Sequence, residues 1–416
     1  QRRCRYKMVV AGLLVLFASS TLPDATIGAG TFDATGVTRI IFASCKDGAA
    51  GSATYVGNNV SFDWSLVSNR QPHAFIWAGD AIYADHLPPH RTLWWPLRLL
   101  LPDLPVQVGG SASRGADPDE LQAGYASLLA EPGYIALRSS VAAVLGTWDD
   151  HDYGLDNADN TFPHRDTSKR HFLDFLGAPA KDARRRRRGA GVWGATVLGE
   201  GARSVMVVAL DLRYHRDPYG MEGGDILGEE QWEWLESLLF SSTARAHVLV
   251  SSLQLLPTGR ERLSEGWPRF PAARRRLLRL LVDAQVRAPV VVSGDVHFAE
   301  LMAARCEGGG TLVELTSSGL THSWWNGMGF LPFETKLYMR AAAVLAFLLV
   351  PWRYRLCRPG WLGGAMLDLG ETFGELEIDW GHGTLTTRAL HAGDGSVAFQ
   401  ETWRLSQLDM HGGGGA

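Results

Sequence analysis

Four apolar runs in this chain each end in a short polar cluster, and that repeated arrangement limits the folds available to it. The runs are Ile40 to Ala43, Ala74 to Trp77, Val141 to Leu145 and Pro289 to Val292, and each reads as a buried strand. The clusters that follow are Ser44-Cys45, Gly79-Asp80-Ala81-Ile82-Tyr83, Trp148-Asp149-Asp150-His151-Asp152 and Ser293-Gly294-Asp295-Val296-His297. In an open α/β sheet, ligands bind beyond the carboxyl ends of the strands. Four such ends would bring carboxylates, a thiol, a phenol and imidazoles into one cleft. Groups so rich in negative charge repel one another unless cations fill the centre.

Each cluster has a chemical reading and a plainer one. Asp80 follows a strand and a glycine that allows close backbone approach, so its two oxygens can bridge two cations. Tyr83 is three residues on, where a turn can aim its phenolate at the same centre; a tyrosinate favours a hard ion such as Fe³⁺. The plainer reading is a Gly-Asp turn with a packed Tyr. Asp150 is a candidate for a second metal. His151 can stay off the metals and give a proton to a leaving alkoxide, with Asp152 or Asp156 orienting its ring. The plainer reading of this cluster is a capped helix start rich in acids. Asp295 and His297 are two apart, so in extended geometry they share a face and can serve one metal each. Cys45 is either a thiolate ligand or a small buried residue. Arg213 and Arg216 can clamp phosphate or pair with the site's acids. Gln254 and His322 are weaker candidates for the pocket lining, and Asn157 and Asp211 for substrate or supporting contacts. His247 is expected at the start of a strand. Singly these patterns say little; the argument rests on their occurring together.

The chain has 416 residues, enough for one large α/β domain with insertions or two smaller ones. With 46% apolar and 20% charged residues its composition is that of a globular protein, and a net charge of −4 makes no general case for nucleic-acid binding. Arg2, Arg3, Arg5 and Lys7 precede an apolar stretch, Val9 to Ala18, with small residues and Pro23 after it. Residues 1–28 are therefore expected to be a secretory signal or an N-terminal anchor. Residues 37–405 are expected to form the catalytic domain and 406–416 a flexible tail. Of the four cysteines, Cys4 lies in the leader; Cys306 and Cys357 either pair in an oxidising compartment, leaving Cys45 free, or all three stay reduced. Residues 86 to 116 read as an insertion with an apolar Leu93 to Leu101 run: a lid, a membrane-facing patch or a packed loop. Ala341 to Val350 is too short to span a bilayer and reads as a buried or interfacial helix. Arg184 to Arg188 reads as a solvated loop rather than an anion-binding or protease-cleavage site. Helices are expected from Asp117-Pro118 to about Ala130, over Thr167 to Leu176, Gly228 to Leu239 and Ala272 to Val286. Strands alternate with helices to about residue 295, and mainly strands follow. That order suggests a layered α/β/β/α arrangement with mixed sheets.

Taken together these stretches resemble the alkaline phosphatase D, or PhoD-like, metallophosphoesterases. The matching segments are Phe42 to Cys45, Gly79 to Asp85, Trp148 to Asp152, Leu210 to Asp217, Leu227 to Trp232, Val292 to His297 and Leu315 to Leu320. They cover roughly residues 37 to 325 in family order. The resemblance implies a calcineurin-like α/β/β/α sandwich that hydrolyses phosphate esters with Fe³⁺ and Ca²⁺. By position, Cys45, Tyr83 and His297 would hold the iron, Asp80 would bridge, and Asp150 and Asp295 would face the second metal. The layout is also similar to purple acid phosphatases, whose Gly-Asp-x-x-Tyr uses the Tyr as an iron ligand. Their Gly-Asn-His is Asp149-Asp150-His151 here, and their Gly-His-x-His is Gly294-Asp295-Val296-His297. A histidine usual in the wider superfamily has no match. Oxygen ligands in its place favour Ca²⁺, with Zn²⁺ or Mn²⁺ as alternatives.

The expected function is metal-dependent hydrolysis of a small phosphate ester in a secreted or endomembrane-lumenal setting, with membrane or lipid contact in play. His151 would assist departure of the leaving group, and Arg213 would steady the substrate. Neither a nucleic-acid module nor an obligate protein partner is evident. The rivals are a phosphodiesterase acting on phospholipid headgroups, a non-catalytic binding protein on the same scaffold and a membrane-anchored structural protein.

Overall fold

Strands made of unbroken apolar runs need cover on both faces, and a two-sheet sandwich clad by helices supplies it. In a computed structural model of the chain, the described residues are 25–28, 36–48, 61–86, 114–257, 265–306, 310–323, 357–359 and 366–410. The leader up to residue 24, residues 87–113 of the insertion, the Ala341 to Val350 run and the tail from residue 411 lie outside the described residues.

Fifteen strands are assigned in the described residues: β1 (Ala25–Gly28), β2 (Val37–Ala43), β3 (Ala74–Ala78), β4 (Ala143–Thr147), β5 (Gly194–Leu198), β6 (Val205–Ala209), β7 (Ala246–Val250), β8 (Pro289–Ser293), β9 (Ala299–Cys306), β10 (Thr311–Ser317), β11 (Cys357–Pro359), β12 (Met366–Asp368), β13 (Thr372–Asp379), β14 (Thr384–His391) and β15 (Val397–Arg404). One sheet runs β1-β5-β6-β7-β8-β10-β9-β11, with β12 also on β9; the other runs β15-β14-β13-β2-β3-β4. Within them β2-β3-β4 are parallel, as are β6-β7-β8-β10. The two parallel blocks deliver their carboxyl ends to a common rim.

Residues alternate between the two faces of each strand. Ile40, Phe42, Ile76, Val207, Val248, Val292 and Leu376 fill the space between the sheets. Ile41, Phe75 and Trp77 point the other way, against helices Pro118–Leu129, Pro132–Ser140 and Arg165–Phe175. Val208, Leu249 and Val291 pack against helices Glu229–Ser241 and Pro271–Asp283. Each fully buried large aliphatic side chain contributes roughly 1.5–3 kcal/mol, which sets strand register firmly.

The helix from Pro118 begins as its sequence predicts. Asp117 accepts from the amides of Asp119 and Glu120, and the Glu120 carboxylate returns to the Asp117 amide at 2.9 Å. This box is worth about 1 kcal/mol, and it holds a helix whose Tyr125 hydroxyl reaches the Asp152 carbonyl at 3.3 Å, just behind the rim.

Three features differ from expectation. Residues 406–410, expected as the start of a flexible tail, are packed, with Leu408 and Met410 buried and the Met410 amide donating to the Val286 carbonyl at 3.0 Å. Strand β9 is not anticipated, because Glu300 and Arg305 break its apolar pattern, yet it joins β10 to β11. The arginine run is no solvated loop throughout: Arg184 pairs with Asp182 at 2.8 Å, Arg185 with Asp174 at 2.7 Å, and Arg187 lies over the Trp193 ring at 4.6 Å. Cys306 is disulfide-bonded, and the residue opposite it across β9 and β11 is Cys357. Cys45 is a free thiol. Among the described residues no helix is long and apolar enough to cross a membrane.

Candidate metal centre

Glycines allow the two sheets to approach at the rim. A Cβ on Gly79 (φ +95°) would stand 2.7 Å from the Asp149 Cβ and 3.0 Å from the Ser252 Cβ. One on Gly294 would stand 2.5 Å from the Ala78 carbonyl oxygen and 2.5 Å from Ser44 Oγ. Backbone bonds then tie the loops together: Lys46 N–H donates to the Asp80 carbonyl at 3.0 Å, Gly294 N–H to Ser252 at 3.0 Å and Leu320 N–H to Ser44 at 3.0 Å.

The residues beyond the strand ends leave extended geometry abruptly. Cys45, Asp80, Asp295 and His297 all have left-handed backbone, with φ of 57°, 47°, 68° and 58°. Asn157, in the loop behind them, has φ 55°. Such a conformation costs roughly 1–2 kcal/mol per residue for most side chains and persists only where the surroundings enforce it. It turns these side chains into the cleft.

The rim gathers the expected ligands. Cys45 Sγ lies 3.5 Å from Asp80 Oδ2 and 3.0 Å from Ser318 Oγ. Tyr83 Oη lies 3.0 Å from His297 Nε2, and Tyr83 is within hydrogen-bonding reach of Cys45. Two groups of potential ligand atoms each lie within 4.8 Å of one another: Asp80, Asp150 and His151, and Asp149, Asp150 and Asp295. Asp150 belongs to both. Asp149 joins the second group although its sequence signal as a metal contact is only its position directly before Asp150. His322 stands beside these groups, with its ring 4.3 Å from His297 and 5.0 Å from Tyr83.

His151 is oriented by Asp85. Its Nδ1 lies 2.7 Å from Asp85 Oδ1, and its ring stacks on Tyr83 at 4.2 Å. This corrects the expectation that Asp152 or Asp156 orients the imidazole. The Asp152 carboxylate accepts from the amides of Asp149 and Ala81, at 2.6 and 3.1 Å, and so shapes the turn. Asp156 donates its amide to Asp85 Oδ2 at 2.9 Å, and its carboxylate accepts from Asn157 Nδ2 at 2.6 Å. The short helix Asp150–Tyr153 starts here, so the plainer reading of this cluster is also right as geometry.

Arg213 takes the second of the two roles open to it. It is fully buried, with Nε 2.5 Å from Asp149 Oδ1 and Nη2 3.7 Å from Asp150 Oδ1, and it is bonded to Glu265. Ion-pairing to the site's acids thus replaces the phosphate clamp as its observed contact. Arg216 donates to the carbonyls of Asn157 and Ala158. Asp211 builds the turn that delivers both arginines, accepting from the amides of Val192, Arg213 and Tyr214. Gln254 donates to Glu300 and Thr316, within the sheet rather than at the ligand cluster. Asn157 holds Asp150 Oδ2 through its backbone amide at 2.6 Å. His247 is in β7, with Nε2 2.7 Å from Ser242 Oγ and Nδ1 2.7 Å from the Arg287 carbonyl, well explained as a core histidine. Glu265 carried no sequence signal, since no periodic element leads into it.

The charges at the rim do not balance. Burial, reinforced by neighbouring negative groups, raises Asp80 and Asp295 well above the usual carboxylate range. Burial also pushes Asp149 up to about 6 despite Arg213, and the Cys45 thiol up to about 11. Burial and the nearby His151 bring His297 down to about 3, which leaves its ring neutral and able to donate a lone pair. Burial works against a charge on His151, but Asp85 and Asp150 outweigh it and raise the imidazole well above its ordinary value. Asp149 Oδ2 is buried without a hydrogen-bond partner among the described residues. A carboxylate-rich pocket with an orphaned oxygen, a thiol and a neutral imidazole is chemically suited to cations.

Residues 41–329 match the family model described as PhoD-like phosphatase. Among solved structures the chain is similar to one described as the structure of PhoD, at 14% identity and a TM-score of 0.56, covering 90% of this chain and 70% of that one. It is also similar to a purple acid phosphatase from yellow lupin (Lupinus luteus) seeds, at 14% identity and TM-score 0.49, covering 88% and 53% of the two chains. A third is GAP50, the anchor in the inner membrane complex of Plasmodium, at 11% identity and TM-score 0.44, covering 90% and 89%. A comparison with curated proteins gives no match. At that identity the likeness to the PhoD structure shows a shared fold, a sandwich of two mixed sheets.

Proposed function

The chain belongs to the PhoD-like phosphatase family, and from that premise we propose that its rim hydrolyses small phosphate esters with His151 as the proton donor. The observation that carries this reading is the pairing of an acid-rich ligand cluster with an imidazole held by Asp85 at 2.7 Å. Cys45, Tyr83 and His297 would hold Fe³⁺ with Asp80 bridging, and Asp149, Asp150 and Asp295 would face a second, harder ion such as Ca²⁺. When bound, the cations supply Lewis acidity toward the phosphoryl oxygens and lower the pKa of water.

The chain's own residues divide the remaining tasks. Asp85 fixes His151 by Nδ1, leaving Nε2 to carry the transferable proton. As a water oxygen bonds to phosphorus and the ester P–O bond breaks, that proton goes to the departing oxygen and the alcohol leaves neutral. Tyr83 stacking keeps the ring from rotating. Arg213 offsets part of the charge on Asp149 and Asp150, so the cluster keeps its shape between turnovers. His322 packs on His297 and Tyr83 and limits their rotamers. The disulfide-bonded Cys306 supports folding in an oxidising compartment, consistent with a secreted or lumenal enzyme.

Elemental analysis of the purified protein, with parallel assays on an aryl phosphate monoester and diester, tests this directly. Bound iron and turnover of at least one ester are expected. Metal-loaded protein that hydrolyses neither ester would instead support a binding role. A phenolate-to-iron colour should shift in Tyr83→Phe; an unchanged spectrum would remove Tyr83 as a ligand.

A further inference from the structure

One short turn serves two parts of the proposed machinery. The Asn157 amide donates to Asp150 Oδ2 at 2.6 Å, and the Asp156 amide donates to Asp85 Oδ2 at 2.9 Å. The other oxygen of Asp85 holds His151. A carboxylate of the ligand cluster and the group that orients the proton donor thus hang from adjacent backbone amides. Asn157 sits in left-handed geometry, so the turn needs support from outside itself.

Arg216 provides that support. Its side chain is fully buried, and Nη2 donates to the carbonyls of Asn157 and, at 2.8 Å, Ala158. Its own carbonyl accepts from the Asn160 amide at 2.9 Å. The guanidinium lies over the Tyr219 ring at 4.2 Å, and the Tyr219 hydroxyl is anchored on Glu265 at 2.6 Å. Stacking on one face and carbonyls at one edge fix a planar fork in one orientation, which a flexible ammonium does less well.

We propose that Arg216 is a positioning residue: it clamps the 156–158 turn and, through two backbone amides, sets both Asp150 and the Asp85–His151 pair. The catalytic half of this inference rests on the phosphoesterase reading; the structural half does not.

The test uses the full-length, metal-loaded protein as wild type, Arg216→Met, Arg216→Lys and Asp85→Asn. Hydrogen exchange is followed in a peptide covering residues 150–160, with one covering 246–250 as control, and kcat/KM is measured for an aryl and an alkyl phosphate. Arg216→Met should speed exchange in the first peptide about tenfold and leave the control unchanged. It should also lower the alkyl rate about tenfold more than the aryl rate, because a poor leaving group depends more on the proton donor. Asp85→Asn should shift the same ratio, and Arg216→Lys, which keeps a cationic donor on a shorter side chain, should recover part of both effects. A merely structural role would reduce both rates equally. Unchanged exchange in Arg216→Met, or faster exchange with the wild-type rate ratio, overturns the proposal. Should wild type turn over neither ester, the phosphoesterase reading fails, and the exchange result alone decides whether Arg216 holds the turn.

Discussion

Two groups of buried charge draw on the same six-stranded sheet and meet the cost of burial in opposite ways. On the helix-facing side of β2, β13 and β14, Glu375 is fully buried between Arg70 at 2.6 Å and Arg388 at 2.5 Å, with Arg39 at 3.6 Å. Glu377 pairs with Arg39 and with Arg388 at 3.1 Å. Three guanidinia thus surround two carboxylates, and none of the five residues has a left-handed backbone. At the rim, Arg213 pairs with Asp149, Asp150 and Glu265, and Arg216 lies 3.8 Å from Glu265, so among the described residues two guanidinia and the His151 imidazole stand among five carboxylates, Asp80 and Asp295 included. Several of their neighbours also hold strained backbone. A cluster that balances its own charge is architecture. A cluster left short of positive charge, and strained, is prepared for charge from outside.

Removing a carboxylate from each cluster tests this contrast most severely. Asp80→Asn should reduce phosphatase turnover by about 10³-fold or more and lower bound metal, while the metal-free protein melts no lower than wild type. A metal-free melting temperature well below wild type would show Asp80 to be a structural partner like Glu375. His151→Ala should cost about 10²–10³-fold on an alkyl phosphate and less on an aryl phosphate, with metal content unchanged. Equal losses on the two esters would remove His151 as proton donor.

Glu375→Gln should behave in the reverse sense. It leaves half-buried guanidinia short of a partner and should destabilise by about 3 kcal/mol in urea unfolding, with metal content and kcat per folded molecule unchanged. Loss of bound metal in this variant would erase the distinction between the clusters.

The smallest effect lies away from both clusters, at His247. Burial first, then nearby guanidinia, lower it from 6.5 to about 4, while its bond to the Arg287 carbonyl works the other way. The unfolded chain therefore binds the proton more readily. The stability His247 contributes is fully present above pH 6.5 and is lost as pH falls toward about 4, by no more than about 3 kcal/mol. His247→Gln should flatten the melting-temperature curve across that window. A slope equal to wild type would move acid sensitivity to another group.

Much of the scaffold was legible because burial imposes patterns. The apolar runs before Cys45, Asp80 and Asp295 had to become two-faced buried strands, the run before Asp149 became β4, an edge strand whose Ala143, Val144 and Leu145 are only half-buried, and Asp117-Pro118 with Glu120 marked a helix start. Strand β9 stayed hidden because Glu300 and Arg305 look exposed in sequence, although Glu300 is fully buried. The candidate ligands were visible as a set, and the structure brings Cys45, Asp80, Tyr83, Asp150, Asp295 and His297 to one rim. Partner choice was not visible. Asp85, Asp152 and Asp156 are all near His151 in the relevant loops, and only the folded path shows which carboxylate reaches its ring.

Residue order alone determined which strands are buried and which chemical groups sit at their ends, because hydrophobic periodicity and side-chain identity are local properties of the chain. The tertiary structure alone decided that Arg213 faces Asp149 and Glu265, that Asp85 holds His151, and that Arg216 grips the turn behind Asp150. Those pairings join residues tens of positions apart through loops whose direction is set by left-handed turns and glycine contacts. No local pattern encodes where such loops will end.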